Sequence, residues 1–167
     1  MINYKTKFAA YYVVYVIAMG AILGIVSNLL LAVLKETVFK DSLGEIQYVV
    51  QVVIQTIFSI LVLYLGIKPA SNYAARKEDI PELPDMKRFV TILFIVLALI
   101  QVAYSVFSYM NVMEQINELK VQYPHSFDDK ITDKLFKLKT TYIVGSIVLI
   151  VANFMMIPIT LKKYEDV

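Results

Sequence analysis

Phe8–Leu34 reads FAAYYVVYVIAMGAILGIVSNLLLAVL, twenty-seven residues without one charged side chain. A helix needs about 20 apolar residues to cross the roughly 30 Å of hydrocarbon in a bilayer, whereas the apolar region of a signal peptide runs to only about 7–15. The stretch is therefore expected to be a retained membrane anchor. Three further stretches share its character: Ile46–Ile67, Phe89–Met113 and Thr140–Leu161. Together the four occupy 96 of the 167 residues, and all thirty charged side chains lie outside them. The whole chain is 59% hydrophobic and 18% charged, where soluble chains carry about a quarter charged residues. The pattern predicts an all-α membrane protein, a single domain over residues 1–167 with four transmembrane helices in an up-down bundle.

Composition narrows the chemistry. The chain has no cysteine and one histidine, His125, so thiol redox chemistry, thiolate metal sites and multi-histidine metal sites are out of reach. No metal or cofactor is expected. A net charge of +2 without a basic module argues against nucleic acid as a partner. No Asp, Glu, Lys, Arg or His falls inside a span, so the usual mark of proton relays, voltage sensors and ion-coupled transport is missing. With no acidic or histidine cluster at the membrane surface either, the chain is not expected to be an enzyme.

Orientation follows from Lys and Arg beside the spans. If both termini are cytoplasmic, nine basic residues lie inside, among them Lys5, Lys7, Arg76, Lys77, Lys162 and Lys163, and seven outside. The expected location is the plasma (inner) membrane, multi-pass, with both termini cytoplasmic. Tyrosine rings prefer headgroup depth. Tyr11, Tyr12, Tyr64 and Tyr164 are assigned to the inner interface and Tyr48, Tyr109 and Tyr142 to the outer one, while Tyr15 and Tyr104 lie too deep for either.

Between spans two and three, Pro69 is expected to stop the second helix, because proline lacks an amide donor. Pro81 and Pro84 stiffen the return, and Asp85 is placed to cap the third helix. The stretch around Arg76, Lys77, Glu78 and Asp79 reads as a solvated connector. Residues 114–139 carry more pattern. Tyr109, Val112, Ile116 and Leu119 are spaced for one helical face. After the breaker Tyr123-Pro124-His125, Ser126 and Asp129 resemble a capping box. Phe127, Ile131, Leu135, Leu138 and Tyr142 then run as a second apolar stripe into span four, with Asp133 and Lys137 as an i,i+4 pair on its polar side. Spans three and four are thus expected to continue into a short extramembrane helical hairpin, which offers either two stripes packed on each other or a knob for an external partner.

The spans hold uncharged polar residues at related depths. Gln55 and Gln101 lie at the centres of spans two and three, and Asn153 near that of span four. Asn28, Gln51, Ser105, Ser108 and Ser146 fall about 6–11 Å further toward the outer face, at 1.5 Å per residue. Gln47, Gln51, Gln55 and Ser59 recur every four residues, as one polar face. Gln101, Ser105 and Ser108 form another in span three. Gly20, Gly24 and Asn28 make a small-residue face on span one, and Gly145 offers close packing on span four. An amide left unpaired in hydrocarbon costs several kcal/mol, so these groups need partners. Either they cement the helices, Gln55 bonding Gln101, or they line a polar pocket that is wet from the outer side.

The expected function is that of a non-catalytic integral membrane protein acting by binding. It would serve as an accessory subunit of a membrane complex or as a small recognition or immunity-type protein, with a protein partner or a second copy engaged through the membrane helices. The alternative is an oligomeric transporter or channel subunit with an uncharged pathway along Gln47, Gln51, Gln55 and Ser59.

Overall fold

The computed structural model describes residues 4–37, 45–75, 83–122 and 129–165, with the side chains of Lys35, residues 45–48, Leu119 and residues 129–134 excepted. All of the described residues are helical. They form α1 (Tyr4–Thr37), α2 (Glu45–Ala75), α3 (Leu83–Gln122) and α4 (Asp129–Glu165), and each is long and apolar enough to cross a membrane. Where hydrocarbon offers no water, a helix satisfies its backbone groups internally, which is why long uncharged stretches take this form. The side chains confirm the solvent. Ile17, Ile25, Leu29, Leu99, Ile100 and Phe107 are each at least 59% exposed, while Ser27, Asn153 and Thr160 are buried inside. This inversion belongs to a multi-pass membrane protein.

α1 packs on α2, α2 on α4 and α4 on α3; α1 barely meets α3, and neither α2 with α3 nor α1 with α4 forms a packed pair. The beginning of α1 is the meeting point of all four helices. The Tyr4 hydroxyl lies 3.3 Å from Ser71 Oγ near the end of α2. Lys5 donates to Asp85 at the start of α3 over 2.8 Å, and the Tyr4 ring meets Tyr164 of α4 edge-on at 5.6 Å. Tyr4, Phe8 and Tyr12 stack in a ladder along α1, with centroids 6.4 and 5.8 Å apart. Phe89 and Phe94 of α3 present their edges to the ladder, an arrangement that the ring quadrupoles favour. Around it lies the main core, with Leu63, Ile67, Ala70, Met86, Val90 and Met156 all buried.

A second, smaller core occupies the opposite end of the molecule and joins only α2, α3 and α4: Val52, Val112, Ile116, Leu138 and Tyr142. Here the two stripes on α3 and α4 pack against each other, with Tyr109 edge-on to Tyr142 at 5.4 Å. α3 is 40 residues long, about 60 Å at 1.5 Å per residue, so it overshoots the hydrocarbon. The breaker at Tyr123-Pro124-His125, Ser126 of the capping pair, the stripe position Phe127 and the connector from Arg76 to Pro81 lie outside the described residues, as do the side chains of Leu119, Asp129, Ile131 and Asp133.

Several local expectations are corrected. Pro69 does not stop α2, which continues to Ala75. The proline removes the amide that would bond the Leu65 carbonyl, a cost of about 3 kcal/mol in a helix interior. The turn beyond it is held by tertiary contacts instead: Ala70 and Ala74 are fully buried, Ser71 meets Tyr4, and Tyr73 stacks on Tyr11 at 4.9 Å. Asp85 is not a cap. α3 starts at Leu83 and places Asp85 within its first turn, where a carboxylate complements the helix dipole. The Lys5 ammonium holds that carboxyl below the ordinary carboxylate range; the pair therefore exists at neutral pH and is lost only as acid protonates Asp85. Tyr12, Tyr142 and Tyr164 are not interface rings but buried core. Tyr12 spends its hydroxyl on the Leu63 carbonyl at 2.8 Å. Tyr64 does reach outward, its ring lying 4.9 Å beneath the Lys163 ammonium.

The glycines also sort differently. A Cβ on Gly66 would sit 2.8 Å from Tyr15 Cδ1 and 3.0 Å from Tyr12 Cε2, so Gly66 makes room on α2 for these two rings of α1. Gly145 is similarly tight, 3.2 Å from Thr56 Oγ1 and Val52 Cγ1. A Cβ on Gly20 or Gly24 would meet nothing within 4 Å. These two do not serve close packing. A strict four-residue repeat advances about 400° on a 3.6-residue helix, 40° more than a full turn, so the series Gly20, Gly24, Asn28 walks off the seam that Ser27 and Leu31 hold. Gly66→Val is therefore expected to destabilise the protein by about 1–3 kcal/mol through overpacking. Gly20→Ala should be neutral or stabilising by up to about 1 kcal/mol through helix propensity. Reversible unfolding in mixed micelles measures both.

Candidate functional site

Beyond Tyr12 and Phe94, α1 and α3 part. The side-chain contacts between them, Lys5 with Asp85, Phe8 with Phe89 and Tyr12 with Phe94, are confined to the end that carries the chain termini. The space between the separated halves is a cavity of about 570 Å³. α1 contributes Val16, Gly20, Gly24 and Ser27 to its wall, and α3 contributes Gln101, Tyr104, Ser105 and Ser108. α2 supplies Gln55, Thr56 and Ser59, while α4 closes the back with Tyr142, Gly145 and Leu149. Ile17, Ile100 and Tyr104, exposed by 67, 59 and 65%, stand at the rim between α1 and α3. Toward the termini the cavity ends on Val62, above the ring-filled core of Tyr12, Leu63 and Phe94.

Each wall is built by its helix register. Gln101, Ser105 and Ser108, spaced 4 and 3, stay on one side of α3, and all three face the cavity. On α2 only Gln55 and Ser59 of the four-residue series do so. Gln51 is half-buried and off the lining, because the same 40° drift carries the series around the helix; Gln47 lies outside the described residues. Asn28 is exposed. Its neighbour Ser27, 1% exposed, takes the inward position. Ser27, Thr56, Tyr104 and Tyr142 are lining residues that the four-residue pattern misses. The register of Leu31, four residues on and buried, is the signal that selects Ser27 over Asn28.

The amides pair across a different interface from the expected one. Asn153 Nδ2 donates to Gln101 Oε1 at 2.7 Å and to the Leu149 carbonyl at 2.8 Å. Both of its protons are thereby used, and the demand of that carbonyl for a donor fixes which way the Asn153 amide faces. Gln55 does not bond Gln101, since α2 and α3 are diagonal in the bundle and the cavity lies between them. Ser146 and Ser105 hydroxyls lie 3.0 Å apart, and Ser146 also reaches the Tyr142 carbonyl at 2.9 Å. A hydroxyl has one proton, so Ser146 donating to the carbonyl leaves Ser105 as donor between the two serines. These bonds tie α3 to α4 along one side of the cavity.

Two buried polar atoms have no hydrogen-bond partner among the described residues: Asn153 Oδ1 and Ser27 Oγ. Thr56 and Ser59 turn back to the carbonyls of Val52 and Gln55, the usual satisfaction of a hydroxyl in a helix. Ser27 does not, and its oxygen is closed off from the cavity, which only other atoms of the residue line. Among the described residues no group of His, Cys, Asp or Glu could hold a metal ion. The cavity is therefore a set of neutral donors and acceptors on an apolar frame, suited to hydrogen bonding without charge.

No protein-family model matches the chain, and neither the curated proteins nor the solved structures hold a significant match to it.

The Asn153–Gln101 pair should couple by about 0.6–1.7 kcal/mol in a double-mutant cycle with Leu replacements, the range of side-chain hydrogen bonds within membranes. A Gln55–Gln101 cycle should show coupling near zero. Unfolding equilibria in micelles or bicelles decide between the two pairings.

Proposed function

We propose that the protein is a non-catalytic integral membrane protein that acts by binding, through the cavity between α1 and α3. The observation that carries this reading is the cavity's lining: the half-buried amides of Gln55 and Gln101, with serine and tyrosine hydroxyls, on an apolar frame. Binding sites are characteristically concave and largely apolar, with a few placed polar groups and a volume of roughly 300–1,000 Å³; this cavity fits all three. Its wall holds no acidic, basic, imidazole or thiol side chain, and so no base to activate its hydroxyls. The protein would act as an accessory subunit of a membrane complex or as a small recognition or immunity-type protein.

The remaining features follow the same reading. The helices would form an up-down bundle in the plasma (inner) membrane with both termini cytoplasmic, as the basic residues favour. α3 and α4 would project beyond the bilayer as a packed hairpin, available to a partner. The transport alternative is less well supported, since the aromatic core at Tyr12 and Phe94 stands where a pathway would have to continue.

Reconstituted alone in liposomes, the protein is expected to move neither ions nor small neutral solutes above the protein-free background. Flux that Gln55→Leu abolishes in a folded protein would replace the binding reading with transport. The cysteine-free chain makes topology directly measurable. An impermeant maleimide should label Gln122→Cys on intact cells, and Thr6→Cys only after permeabilisation; the reverse pattern would invert the orientation.

A further inference from the structure

The cavity's depth, volume and opening say what it takes. On α1, Ser27 lies six residues past the midpoint of the uncharged stretch, about 9 Å from the bilayer centre at 1.5 Å per residue. Gln101 and Gln55 sit within about 2 Å of the centre, and Ser108 is about 10 Å away on the side of Ser27. The hydrocarbon extends about 15 Å on each side, so every polar atom of the wall lies below headgroup level. A charged group drawn to that depth meets a penalty of at least about 2.5–3.5 kcal/mol, and the wall has no ionic partner to offset it. A hydroxyl or ester can descend, because the half-buried side chains of Gln55, Gln101 and Ser105 replace its hydrogen bonds.

The opening faces the acyl chains. Ile17, Ile100 and Tyr104 at the rim are exposed to the surroundings of the bundle, and the wall between the polar groups is Val16, Leu23, Phe58, Val62 and Leu149. The volume of about 570 Å³ falls within the roughly 300–1,000 Å³ of small-ligand sites, which suits a single lipid chain with a small polar end.

We infer that the cavity is a site for a neutral, hydroxyl-bearing glycerolipid of the diacylglycerol kind, which enters sideways from the bilayer between α1 and α3. Its hydroxyl and ester groups pair with Gln55 and Gln101, one chain lies against Val16 and Leu149, and the other remains in the bilayer. The gap exists because Gly20 and Gly24 leave it open: a side chain at either would project into space with nothing within 4 Å. This inference rests on the binding reading of the same cavity and adds the class of ligand.

The test uses the full chain in phosphatidylcholine nanodiscs with a trace of diacylglycerol carrying a photoactivatable group on one chain, and in parallel with equally labelled phosphatidylglycerol. Diacylglycerol should give saturable adducts on α1 and α3 that unlabelled diacylglycerol competes away, while phosphatidylglycerol adducts stay non-saturable. Gly24→Leu, which fills open space and should leave the unfolding midpoint unchanged, should lower diacylglycerol labelling tenfold or more. Gln55→Leu should weaken competition about twofold to tenfold, as expected for one hydrogen bond. Equal labelling by both lipids, or labelling indifferent to Gly24→Leu in a folded protein, overturns the lipid assignment. Glycerol as a water-soluble probe separates the two levels. If glycerol shields Ser108→Cys from a thiol reagent and diacylglycerol does not label, the lipid assignment falls and the binding cavity stands. If neither probe reaches the cavity, both fall.

Discussion

The stack of Tyr4, Phe8 and Tyr12 is the clamp on which the arrangement depends. Here α1 touches the three other helices through side chains, with rings that are almost wholly buried. Each ring of this size buries about 150–250 Å² and gains about 0.5–1.5 kcal/mol from its edge contacts. Past Tyr12 the helix loses that support. Its main packing neighbour there is α2, and the second core at the other end is made without α1. One tight end and one loose end are what separate α1 from α3 and open the cavity. The site is thus a by-product of how aromatic residues are distributed along one helix.

The uncharged polar groups follow from the same geometry. α3 and α4 are packed along their length, so their amides and hydroxyls find each other: Gln101 with Asn153, Ser105 with Ser146. α2 and α3 face each other across empty space, and Gln55 keeps its amide for the cavity. The bonds between α3 and α4 are of the modest strength usual in membranes. Their effect is to fix one wall of the cavity, so that Gln101 presents a defined face while the α1 wall remains the adaptable one.

The spans were legible because charge and hydrocarbon do not mix: the thirty charged side chains leave four uncharged stretches, each inside one helix, although the helices run past them by up to eleven residues, as α4 does at its start. The two stripes on α3 and α4 were legible too, as packing partners, because heptad-like spacing of Val112, Ile116, Leu138 and Tyr142 leaves little choice of face. What spacing could not supply was which helix each face would meet. The order α1, α2, α4, α3 around the bundle depends on which rings fit which grooves, and a four-residue repeat says nothing of that. Asn28 and Ser27 differ by 100° on the helix, and only the partner decides which turns inward. Pro69 misled for a related reason. Its local cost is real, but Ser71, Ala74 and Tyr73 are held by α1, and tertiary contacts outweigh one lost backbone bond. Gly66 gave no signal in sequence; its role appears only when Tyr12 and Tyr15 lie across it.

α1 also carries the longest uncharged stretch, twenty-seven residues, or about 40 Å of helix for a layer of about 30 Å. Such an excess is accommodated by tilt. Pinned by aromatic rings at one end and held by a single neighbour at the other, α1 is the helix that leans when the bilayer thins or thickens. The width of the slot beside it is then set by membrane thickness as much as by the protein's own packing.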